Sequence, residues 1–141
     1  MAGWTFGRRL LQLGNPKLEV ILDPPTLTAG QPAALEVRVL GNANLLHDWR
    51  LTLVIRQEMC IKERRSSSFE VEELHRVTIA VGEQAPPHDA LLIKIPADVW
   101  PRYAIDDVEH ICYLEAKARI DRWPDLHDEV RLNVRPATRT L

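Results

Sequence analysis

Between His110 and Val134 the chain alternates apolar and polar residues twice, on either side of a short polar break. Cys112, Leu114, Ala116, Ala118 and Ile120 interleave with Tyr113, Glu115, Lys117 and Arg119. Val130, Leu132 and Val134 then interleave with Glu129, Arg131, Asn133 and Arg135. A period of two gives a strand one face to bury. Asp121-Arg122-Trp123-Pro124-Asp125 separates the two runs, and its proline and aspartates favour a reversal. A long β-hairpin is therefore the element that the remaining strands must cover.

Upstream, the same period recurs. Leu18, Val20 and Leu22 make a first strand, stopped by Asp23-Pro24-Pro25, because proline cannot donate to a ladder. Thr28-Ala29-Gly30-Gln31-Pro32 reads as a turn before a strand carrying Leu35, Val37 and Val39. Trp49, Leu51, Leu53 and Ile55 share one face of a third strand that runs to about Cys60. Lys62 to Ser68 is a polar hairpin loop, and Phe69 and Val71 open a fourth strand that Val77, Ile79 and Val81 finish. Its phase slips at Glu72-Glu73-Leu74-His75, the mark of a β-bulge. Leu91, Ile93 and Ile95 form a short strand ending at Pro96, and residues 96–109 are the longest irregular connection. At least seven strands and no helical period predict an all-β chain, an antiparallel two-sheet sandwich of the immunoglobulin-like or arrestin-like kind.

A length of 141 residues is that of one domain, with residues 1–16 as a leader, 17–136 as the sandwich and 137–141 as a tail. The leader, with Trp4, Phe6, Arg8 and Arg9, reads as a segment that frays or lies near a membrane or partner. A formal net charge of −2 supplies no field for nucleic acid. Two cysteines are too few for a disulfide framework, and the start lacks the features of a signal peptide, so the cytoplasmic side is expected over secretion. The Trp49 context also lacks a preceding cysteine, which argues against a disulfide-pinned immunoglobulin domain.

Reaction chemistry is sparse. The glycines are scattered without a phosphate loop, and Ser66-Ser67-Ser68 has no nucleophile elbow around it. Strand order could set Cys60 beside Cys112, with His75 and His110 nearby, but zinc needs four ligands and no short-spaced pair anchors one. Two reduced, buried thiols are the expectation. Asp106, Asp107, Glu109, Asp125, Asp128 and Glu129 lack the turn glycine of a calcium loop and read as solvated loop charge. His47, His88 and His127 read as loop residues without a nucleophile partner. No catalytic residue, metal ligand or cofactor is expected.

Three stretches resemble the N-terminal half of the arrestin fold: Thr28-Ala29-Gly30-Gln31-Pro32, Ile95-Pro96 through Trp100-Pro101, and Ile111-Cys112-Tyr113-Leu114-Glu115-Ala116. The resemblance runs from about residue 17 to residue 135. The Arg122-Trp123-Pro124-Asp125 hairpin is also similar to soluble domains of bacterial membrane-associated proteins of unassigned function. The resemblance implies a non-enzymatic sandwich that meets a protein partner through loops and edge strands. Phosphate sensing does not carry over, because Arg102-Tyr103 replaces the family's serine and the chain has the length of one domain.

The function expected is thus a protein-interaction or scaffolding module; the alternative is a soluble appendage of a bacterial membrane protein, tethered through what precedes residue 17. Arg122, Trp123 and Trp100 are the expected partner contacts, since Trp and Arg are enriched at binding hot spots. Lys17, Glu19 and Ile21 mark the expected edge strand, open to a partner peptide or a second copy of the chain.

Overall fold

The computed structural model of the protein describes residues 4–6, 17–41, 43–83, 91–121 and 124–137. Among the described residues, nine strands form two sheets. They are β1 (Trp4–Phe6), β2 (Lys17–Asp23), β3 (Thr26–Thr28), β4 (Pro32–Leu40), β5 (Leu46–Lys62), β6 (Ser67–Gly82), β7 (Leu91–Lys94), β8 (Val108–Ile120) and β9 (Leu126–Arg135). One sheet has the order β1-β2-β4-β7 and the other β3-β9-β8-β5-β6. The expected hairpin is β8 and β9, with Leu114 opposite Val130 and Cys112 opposite Leu132. It sits at the centre of the larger sheet, with β5 on its other side.

The alternating residues meet where the period places them. Val20, Leu22, Leu35 and Val37 from the smaller sheet pack against Trp49, Leu51, Leu53, Leu114 and Leu132 from the larger one. Each large aliphatic side chain enclosed this way contributes about 1.5–3 kcal/mol relative to exposure. Trp49 is fixed closely from beside: a Cβ on Gly82, its partner across the β5–β6 ladder, would lie 2.7 Å from the indole. The ring occupies the space that any other residue at position 82 would need. Gly30 has φ +84° in the turn between β3 and β4, a left-handed geometry that favours glycine.

Three features depart from the sequence reading. Residues 26–28 are a strand, and β3 runs parallel to β9, Leu27 opposite Val134. The chain leaves the smaller sheet at Asp23-Pro24-Pro25 and joins the outer side of the larger sheet, so the sandwich is antiparallel except at this edge. Within the leader, Trp4–Phe6 forms a strand, antiparallel to β2. β2 is consequently an inner strand over Val20–Leu22, and the expectation of an edge position is corrected for Ile21. Ile21 lies between Thr5 on one side and Glu36 on the other. Lys17 and Glu19 pair with Leu40 and Arg38 of β4, with no described strand on their other side.

The third departure concerns the cysteines. Cys112 lies opposite Ile55, whereas Cys60 is five residues further along β5 and opposite Phe69 of β6. At about 3.3 Å per residue the two thiols are separated by roughly 16 Å of strand, and they do not form a common site.

Candidate functional site

The two sheets differ in reach. β5 and β6 are the longest strands, and their far halves extend beyond the cover of the smaller sheet. Thus β6 is exposed from Ser67 to Glu73 on both faces, while Leu51 to Ile55 in the middle of β5 are buried. β6 is also the last strand of its sheet, with no described strand on its outer side. Its backbone donors and acceptors along that side are open to an incoming strand.

The side chains of this edge follow from register. Inward-facing β5 residues Trp49, Leu51, Leu53 and Ile55 continue in phase through Gln57 and Met59, whose β6 partners are Glu72 and Glu70. Glu58 and Cys60 face the opposite way, opposite Val71 and Phe69. Phe69 is 69% exposed and Val71 59% exposed on the outer face of the sheet. Two register shifts interrupt the β5–β6 ladder, one leaving Leu74 as the extra residue of β6 and the other Ile79. The first is the bulge that the phase slip predicts.

Beside Phe69, a shallow cleft of about 250 Å³ is lined by Glu58, Cys60, Asp107, Val108 and Glu109 as well as the ring. Its carboxylates have cationic neighbours. Asp107 lies 3.2 Å from Lys62, Glu109 accepts from Arg131 at 2.6 Å, and Glu58 lies 3.6 Å from Arg56. The Cys60 amide donates to the Asp107 carbonyl at 2.8 Å, which fastens the 95–107 connection to β5.

Further along the same outer face, Val54, Ile111 and Tyr113 form a small second core. Arg56 stacks over the Tyr113 ring with its guanidinium carbon 4.9 Å from the centroid. Next to them Glu115 is buried and has polar neighbours on three sides. Arg76 donates to it at 3.2 Å, the Lys117 ammonium lies at 3.7 Å and His127 Nε2 at 3.6 Å. Burial alone would raise the Glu115 pKa. The Arg76 hydrogen bond and the neighbouring positive charges outweigh it and hold the carboxyl below the usual value.

Ligand atoms of Glu115, His127 and Glu129 lie within 4.8 Å of one another, a spacing that a metal ion could span. Arg76 and Lys117 already supply positive charge at Glu115, so a cation there would compete with both. His127, Asp128 and Glu129 are strand residues of β9, and His47 belongs to β5 with its Nε2 2.8 Å from Asp121 Oδ2. The expectation of loop positions is corrected for all of these. His88 lies outside the described residues.

Of the expected contacts, Arg122 and Trp123 also lie outside the described residues. Trp100 is half-buried, packs against the main core and meets the His110 ring edge-on with centroids 5.8 Å apart. Trp100 thus covers part of the main core. Burial under this cover lowers the His110 pKa.

Sequence reasoning missed the β6 edge because strand order is not written in a period. One signal was present. A bulge reverses the sense in which alternate residues point. Apolar residues on the two sides of the slip, Val71 and Val77, therefore cannot both face the core.

The sheet order and the enclosed core define a two-sheet β-sandwich, and the solved structure it is similar to supports a fold of the arrestin-like kind. Among solved structures, the chain is similar to Spo0M, the sporulation control protein of Bacillus subtilis, with a TM-score of 0.58 and 18% identity. The match covers 87% of this chain and 50% of that one, so the chain spans about half the length of Spo0M. No protein-family model matches the chain, and no curated protein does either.

Proposed function

We propose that the chain is a non-enzymatic interaction module that takes an extended segment of a protein partner as an added strand on β6. The carrying observation is the edge itself: Ser67–Glu73 is exposed, lies last in its sheet and carries Phe69 and Val71 outward. Strand addition supplies affinity through main-chain hydrogen bonds and specificity through alternate side chains. The polar groups of the neighbouring face are engaged in ion pairs that hold the sheet, as Glu115 is by Arg76, which supports a structural use for them. The similarity to a sporulation control protein favours a regulatory setting for such a module.

Selection of binding peptides from a random library, followed by amide hydrogen exchange with and without the selected peptide, tests this reading. Protection gained within Ser67–Glu73 is the expected result. Protection confined to β1, β3 or β7, the other sheet ends, would overturn it.

A further inference from the structure

Resting on that edge-binding reading, the class of strand that β6 accepts follows from its two faces. Ser67–Glu73 pairs residue for residue with Arg56–Lys62, whereas the extra residues Leu74 and Ile79 break the ladder beyond it. Bulges twist an edge and interrupt the register that a newcomer would need. The usable template is therefore Ser67–Glu73 alone.

On its outer face the template offers Phe69 and Val71. Glu70 and Glu72 lie on the other face, both exposed and without an ion-pair partner among the described residues. Glu73, by contrast, is tied to Arg76 at 2.7 Å. The side chains of an added strand alternate in step with those of the template, and each sits beside a neighbour on its own face. A second copy of this segment would bring Glu70 and Glu72 alongside the same two residues of its partner, a like-charge contact that destabilises a sheet.

We infer that the Ser67–Glu73 edge binds an extended basic peptide in which lysine or arginine alternates with apolar residues. The basic side chains lie along Glu70 and Glu72, and the apolar ones along Phe69 and Val71.

The test uses the full chain and a fluorescent nonapeptide of alternating lysine and valine, read by anisotropy. Two control peptides carry glutamate in place of lysine, or the same lysines and valines in two separate blocks. The alternating basic peptide is expected to bind most tightly, and added salt should weaken it. A Glu70→Lys/Glu72→Lys variant, checked for an unchanged melting temperature, should weaken it by about tenfold or more and gain affinity for the glutamate peptide. Equal binding of the lysine and glutamate peptides would overturn the charge assignment while leaving strand addition standing. Equal binding of the alternating and blocked peptides would reduce the contact to diffuse attraction and overturn the facing pattern. Absence of binding by all three would also overturn the inference, and exchange protection by library-selected peptides would then decide separately whether the edge is used.

Discussion

Leu114 has no exposure, lies between Leu53 and Val130 on neighbouring strands, and faces the smaller sheet. Replacing it with alanine removes contacts that the surrounding sheets cannot fully close around. Leu114→Ala is expected to lower unfolding free energy by about 2–5 kcal/mol in chemical denaturation. Glu115, the next residue, shows the opposite economy: a buried charge kept only because Arg76, Lys117 and His127 surround it. Its folded-state pKa lies below the ordinary value. Folding therefore gains stability from its ionised form above the unfolded pKa of about 4.3, and the gain disappears as pH falls through the lower folded value. Glu115→Gln should cost about 1–3 kcal/mol near neutral pH. Denaturation curves of mutant and native chains should converge in acid, and a cost that persists unchanged there would show that the carboxylate charge is not the cause.

At the scale of strands, much was legible and the exceptions have physical reasons. Trp49, Leu51, Leu53, Val37, Leu114 and Leu132, each read from its strand's period as belonging to an apolar face, share one core. The bulge at Leu74 follows from the phase slip. β1 and β3 span three residues each, too short for a period to show, and β3 lies between Pro25 and the Gly30 turn. Register is equally invisible: the sequence suggests that β5 and β8 are neighbours, but not that Ile55 rather than Cys60 faces Cys112. The Glu115 cluster needs three strands in register before it exists. That offset separates the thiols chemically as well. Burial pushes Cys112 up to about 12, while Cys60 is half-buried on the outer face. A native-state alkylation time course at mildly alkaline pH should label Cys60 well before Cys112, with both reacting fast in denaturant. Equal native rates would mean that β8 is not enclosed as described.

Over the whole molecule, the unequal length of the two sheets divides the fold into a covered part and a projecting one. The covered part holds Val20, Leu35, Leu53 and Leu114 between two layers. In the projecting part, both faces of Ser67–Glu73 meet solvent. A segment with little buried apolar contact opens at lower free energy than the global transition. Amide exchange should accordingly be faster across Ser67–Glu73 than across Leu51–Ile55, and only the second group should approach the global unfolding limit. Uniform protection along the β5–β6 hairpin would show that the projection is as rigid as the core. Such a division makes the molecule a firm base with a projecting arm, and the bulges at Leu74 and Ile79 lie between the tip of that arm and the core. On the proposed reading, a strand added at the tip would order the arm while the body that carries it keeps its packing.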